Sequence, residues 1–122
     1  MNDFNKALDF SVNNGWRELF CFGAFGGRMD KTLSCMHLST KFSRIHPDIE
    51  IVLFGKSNIM YHLKKNITYT IRISEKDFNR HGCGLITFGK ASKVETEGFK
   101  WNLGKEYSYQ RMEWGKFIST CN

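Results

Sequence analysis

The residues of this 122-residue chain with the most chemical capacity gather in one turn, Gly23-Ala24-Phe25-Gly26-Gly27-Arg28-Met29-Asp30. Glycines before a helix leave backbone N–H groups bare, and a helix N-terminus adds positive potential, so the turn suits an anion. Arg28 can fork onto two phosphate oxygens, a geometry that a lysine point charge matches less well. Asp30, in the first helical turn, can face a metal or a substrate hydroxyl, or simply complement the helix dipole. The spacing is neither G-x-G-x-x-G nor a P-loop. Asp3 and Lys6 share a helix face three residues apart, where an ordinary solvated ion pair is the first expectation. Trp101 alternates with Phe99 and Leu103, a pattern of a core face or of a platform for a flat heteroaromatic ring.

The remaining candidates carry less. His37, His46, His62 and His81 are scattered, and His81 with Cys83 supplies two metal ligands without completing a set. Cys21, Cys35, Cys83 and Cys121 form no C-x-x-C pair. Free thiols suit a reducing compartment, so a cytoplasmic location is expected. No G-x-S-x-G elbow marks a nucleophile, and no RNA-recognition signature is present.

These residues need elements to hold them. Phe4, Ala7, Leu8 and Val12 recur at helical spacing and Asn13-Asn14-Gly15 ends the run, predicting a helix over residues 3–13. The apolar run over 18–22 reads as a buried parallel strand. A second helix follows from Met29 to about Arg44, with apolar stripes on two faces that predict burial on two sides. Pro47 closes it, and residues 49–54 read as another strand. Helix–strand–helix–strand is half of a parallel α/β layer, a Rossmann-like half. Beyond Gly55 the pattern changes. Residues 67–73 alternate with period two, as a half-buried strand does, and short candidates follow at 84–88, 92–96, 99–103 and 115–120. The fold class expected is therefore α/β, a partial parallel layer followed by an antiparallel β-sandwich, with the boundary near 55–66.

Composition sets limits. Aromatic residues at 15% and hydrophobic residues at 41% supply a core, and no window approaches the ~18 apolar residues of a membrane span. The net charge of +6 lies mostly in residues 62–122, where eleven Lys/Arg face six Asp/Glu, against seven and six in residues 1–61. A basic surface favours anionic partners, whether nucleic acid, phosphorylated metabolites or lipid headgroups, but the excess is dispersed, so polyanion wrapping is not indicated. A basic aromatic module for single strands, using Trp101, Tyr107, Tyr109 and Trp114, is the lesser alternative.

Taken in order, several segments resemble thiamine pyrophosphokinase. Gly23 to Asp30 looks like that family's G-x-x-G-G-R-x-D signature. Cys83-Gly84-Leu85-Ile86 and Thr96-Glu97-Gly98-Phe99-Lys100-Trp101-Asn102-Leu103 are similar to its C-G-L-I and T-x-G-L-K-W-N-L stretches. Gly115 to Asn122 resembles its G-x-x-[IV]-S-T-S-N strand, and Asn2 to Lys6 its T-D-x-x-K. The departures are Asn2 for threonine, Lys31 where Gln or His is usual, and Cys121 in place of the second serine of S-T-S-N. The family's G-D-x-D-S motif is not among these residues.

The resemblance implies transfer of a pyrophosphoryl group from ATP to thiamine, with Mg²⁺ as cofactor and AMP released. Residues 1–55 would be the C-terminal part of an ATP-binding α/β domain and residues 56–122 a thiamine-binding β-sandwich. Asp3 would join a magnesium and phosphate cluster, and Lys6 and Arg28 would hold phosphates beside the Gly26–Gly27 loop. Asp30 would face the reacting hydroxyl and metal, while Trp101, Ser119 and Asn122 would form the thiamine pocket. The family pocket lies between two subunits, so a homodimer is implied. Without G-D-x-D-S, a shortened chain of reduced activity, or a thiamine-binding and dimerisation domain without catalysis, is the expectation.

Overall fold

A computed structural model describes residues 3–72, 82, 84–88, 94–97, 102–103 and 118–119, the last pair by backbone alone. The chain divides into two compact units, Met1–Tyr69 and Thr70–Asn122.

In the first unit, helix α1 spans Asp3–Asn13, strand β1 Glu18–Phe22, helix α2 Met29–Ile45, strand β2 Glu50–Phe54 and strand β3 Ile59–Tyr61. The order in the sheet is β1-β2-β3. Strands β1 and β2 are parallel, pairing Leu19 with Ile51 and Cys21 with Leu53, and β3 returns antiparallel with Met60 opposite Leu53. The mixed sheet thus supports an α/β class.

One face of this sheet is the core. Leu19, Ile51 and Leu53 are buried with Leu8 of α1, Phe42 of α2, Ala24 and Ile49, and Phe4, Val12, Cys21, Phe25, Cys35 and Met60 pack around them. Both helices therefore supply side chains to the same layer. Their loops are fixed by polar contacts: the His46 N–H donates to Phe42 O, and Glu50 N–H to Arg17 O. Arg17 Nε also reaches Asp48 Oδ2 at 2.8 Å.

Two expectations about burial are corrected. β1 is not enclosed: Leu19 faces the core, but Phe20 and Phe22 are 59% and 78% exposed. Strict alternation on a strand sends every second side chain to the opposite face, so a continuous apolar run need not be buried throughout. Among the described residues that opposite face carries an aromatic row, with Phe22 stacked on Phe54 at 4.8 Å between centroids and Phe20 tilted on it at 6.1 Å. Helix α2 is likewise buried on one side only. Ser39, Phe42 and Ser43 face inward, while Met29, Leu33 and Ile45 are exposed. Inward serines fit because Ser39 Oγ donates to Met36 O at 3.1 Å, satisfying its hydroxyl locally.

The expected strand at 67–73 is absent over 67–72, which carries no strand and is exposed throughout. Alternation specifies a strand only when a neighbour supplies the ladder. One bond ties the segment back to Lys64, whose backbone N–H donates to Tyr69 Oη at 3.1 Å, while Lys64 Nζ itself donates to Pro47 O and Ile49 O at 2.6 and 3.0 Å.

In the second unit, strand β4 (Gly84–Leu85) pairs antiparallel with strand β5 (Ile118–Ser119), Gly84 opposite Ser119. The candidates at 92–96 and 99–103 are represented by 94–96 and 102–103, none of them in a strand. Their ends nonetheless meet. The Thr96 N–H donates to Leu103 O at 3.0 Å, and the Leu103 N–H returns to Thr96 Oγ1 at 2.7 Å.

Candidate functional site: the glycine turn and the start of helix α2

The turn after β1 is built from the core outward. The Ala24 N–H donates to Phe54 O at 3.1 Å, carrying the parallel ladder two residues beyond the end of β1, and Ala24 is buried. Phe25 then lies against Gly55 so closely that a Cβ on Gly55 would stand 2.8 Å from Phe25 Cβ and Cδ2. Past this anchor the chain turns through Gly26 and Gly27 at φ of 107° and 69°, a left-handed path that costs glycine little and other residues about 1 kcal/mol or more. A Cβ at either glycine would meet nothing within 4 Å, so their need for glycine is conformational, and the turn faces open space.

Helix α2 begins directly after it. Arg28 is the N-cap residue, extended at φ −69° and ψ 130°, and its side chain makes no capping bond. Its carbonyl accepts from Thr32 N–H at 3.2 Å. Its guanidinium instead forms a two-pronged pair with Asp30, Nε to Oδ1 at 3.0 Å and Nη2 to Oδ2 at 2.7 Å. Both side chains are solvent-exposed. The guanidinium holds the Asp30 carboxyl below the usual carboxylate range, with the Lys31 N–H and Lys31 charge adding to the effect. A fork matched to a carboxylate is equally matched to a phosphate oxygen pair, so the turn presents an anion-recognition group already engaged by an internal anion.

Asp3 and Lys6 are also brought together, Nζ to Oδ1 at 3.1 Å on the first turn of α1, with Asp3 almost wholly solvated. That is the solvated pair anticipated from their spacing. For a metal the described residues offer little: no group of three or more His, Cys, Asp and Glu side chains lies together among them. The carboxylates of Asp3 and Asp30 each already hold a cationic side chain. This donor set by itself does not fit the octahedral oxygen shell of Mg²⁺.

Ser119 lies in β5 opposite Gly84. Trp101 and Asn122 lie outside the described residues. Sequence reasoning missed two features of this region. No local pattern signals the Phe25–Gly55 contact, which joins residues thirty positions apart, and none signals Lys64 reaching back to the turn between α2 and β2.

These observations first define a class: an α/β protein whose parallel strand ends in a glycine turn, with a guanidinium at the start of the following helix. The comparisons then add a likeness over the C-terminal part of the chain. Residues 68–122 match the family model for thiamin pyrophosphokinase, vitamin B1 binding domain, so the C-terminal part of the chain is consistent with the corresponding part of that family. No curated protein and no solved structure matches the chain. No helix among the described residues is long and apolar enough to cross a membrane.

Proposed function

We propose that this chain acts in thiamine pyrophosphorylation, moving the pyrophosphoryl group of ATP to the hydroxyethyl oxygen of thiamine and releasing AMP. The observation that carries this reading is the vitamin B1 binding domain match over residues 68–122. The glycine turn supports it independently, because an exposed guanidinium beside a helix N-terminus is suited to phosphate oxygens.

In this reading the Arg28–Asp30 pair opens when the nucleotide arrives. Arg28 exchanges the Asp30 carboxylate for phosphate oxygens and stabilises the charge that develops on them during in-line attack at the β-phosphorus. Lys6 adds a second cation. Asp30, kept ionised by its neighbours, orients the thiamine hydroxyl as an acceptor. Trp101 stacks on the thiamine ring, with Ser119 and Asn122 completing the pocket. A homodimer sets Trp101 of one copy against Arg28 and Asp30 of the other. Mg²⁺ belongs to the proposed reaction as the companion of ATP.

The test is AMP release by the purified chain given ATP, thiamine and Mg²⁺. Turnover that falls about 100-fold in Arg28→Ala is the expected result. Thiamine should also quench tryptophan fluorescence, and Trp101→Ala should abolish that quenching. Quenching without any AMP release would select a thiamine-binding domain without catalysis. Absence of both would remove the reading altogether.

A further inference from the structure

Helix α1 ends in a turn that holds a reactive pair. Gly15, at φ 82°, follows the helix in the left-handed conformation. Its N–H donates to Val12 O at 2.9 Å, and the Trp16 N–H reaches back to Ser11 O at 3.2 Å. These are the two bonds that define a Schellman cap, and the apolar contact that often accompanies such a cap is present as well. Phe10 and Trp16 meet edge to face with 6.1 Å between ring centroids. Asn14 completes the turn: its backbone N–H and its Nδ2 both donate to Phe10 O, at 3.1 and 2.8 Å.

The residues held there can react with each other. In an Asn-Gly pair the backbone nitrogen after the asparagine attacks the side-chain amide carbon, and glycine has no Cβ to obstruct the approach. Asn14 is the one asparagine of the sequence followed by glycine. Asn13, Asn14 and Gly15 are all exposed, and a Cβ on Gly15 would meet nothing within 4 Å, so there is room for water and for a five-membered ring. The cap opposes the reaction at both partners, since the Gly15 N–H is bonded to Val12 O and the Asn14 amide to Phe10 O. Attack therefore waits for the last turn of α1 to open, and fraying ends open at little cost in free energy.

We propose that Asn14 is a deamidation site gated by the Schellman cap of α1, and that its acidic product leaves the cap open. The Gly15 nitrogen forms a bond to Asn14 Cγ, the Cγ–Nδ2 bond breaks, and the Gly15 proton leaves with the amide nitrogen as ammonia. Water then opens the cyclic imide at either carbonyl. The products are aspartate and isoaspartate, the latter with an extra carbon in the main chain. Both lack the Nδ2 donor to Phe10 O and place a negative charge at the helix C-terminus, where the dipole is already negative. No oxidation state changes, and water is the one co-reactant. The site is independent of the proposed phosphoryl chemistry.

The test is incubation of the full chain in ¹⁸O-water at mildly alkaline pH, followed by peptide mapping and by methylation with an isoaspartyl carboxyl methyltransferase. Label and a methyl-accepting carboxyl are expected at Asn14 ahead of every other asparagine, and Asn14→Gln should lose both signals. Conversion should run about tenfold slower than in a free peptide of residues 10–17, because the cap must first open. It should rise about threefold in Phe10→Ala, which removes an exposed ring and its contact with Trp16. In the converted chain the Trp16 amide should exchange with solvent about tenfold faster than before. Four outcomes overturn the proposal: no conversion at Asn14 once the peptide is fully converted, equal rates in chain and peptide, no acceleration in Phe10→Ala, or an unchanged exchange rate at Trp16.

Discussion

At the level of single residues, the Arg28–Asp30 pair is the most informative contact, because the carboxylate occupies the same guanidinium fork that is proposed to hold phosphate oxygens. Asp30 has a lowered carboxyl pKa in the folded chain. The pair therefore contributes at pH values above the ordinary carboxylate range and fades only as pH falls through the lowered value. Through mildly acidic conditions Arg28 stays occupied. Asp30→Asn should accordingly bind inorganic pyrophosphate more tightly than the parent at low salt, and Arg28→Ala more weakly. Calorimetric titration checks both, and weaker binding by Asp30→Asn would sink the idea of competition. His62 makes the same demand on pH, over a higher range. Its folded pKa of about 4 lies below the ordinary 6.5, so its contribution is complete above 6.5 and is lost as pH falls toward 4. The loss should be on the order of 2 kcal/mol, reduced from the full pKa difference because the ring is partly exposed. Urea denaturation of His62→Leu should show a flatter acid limb than the parent chain; an unchanged limb would mean that the imbalance lies elsewhere.

Among elements, the strand-to-helix turn works because its two ends are fixed differently. Ala24 and Phe25 anchor it to β2 and Gly55, whereas Gly26 and Gly27 bend it in open space. Substitutions should separate these roles. Gly55→Ala forces a Cβ into Phe25 at 2.8 Å and should cost about 1–3 kcal/mol by overpacking while displacing the turn. Gly27→Asn meets no neighbour and tolerates the left-handed conformation better than most side chains, so less than about 1 kcal/mol is expected. Chemical denaturation of the two variants side by side decides the matter, and equal losses would show that contact with Phe25 is unimportant. β1 and α2 share a second lesson. Each carries apolar residues around more of its surface than the core accepts, leaving Phe20, Phe22, Met29 and Leu33 exposed among the described residues.

Across the whole molecule, two units divide the proposed work, with the glycine turn in Met1–Tyr69 and the vitamin B1 match almost entirely in the other. Ligand linkage follows from that division. Thiamine at about 100 times its dissociation constant should stabilise the parent chain by about 2.7 kcal/mol, and Arg28→Ala should keep that gain because the residue is proposed to hold phosphates, not thiamine. A thermal-shift series with thiamine alone measures it, and loss of the gain in Arg28→Ala would mean that the two sites are not separable. The elements of the first unit were legible in the chain itself: helical periodicity, Asn-Asn-Gly and Pro47 set α1 and α2 within a residue or so, and apolar runs set β1 and β2. The glycine turn and Arg28 were legible too, because steric freedom and charge are properties of residue type. Tertiary structure alone decided which face of each element is covered, since alternation states that a strand has two faces without saying what lies beyond either. It also decided that residues 67–72 would form no strand and that His62 Nε2 would lose water, because both outcomes depend on what the rest of the chain packs beside them.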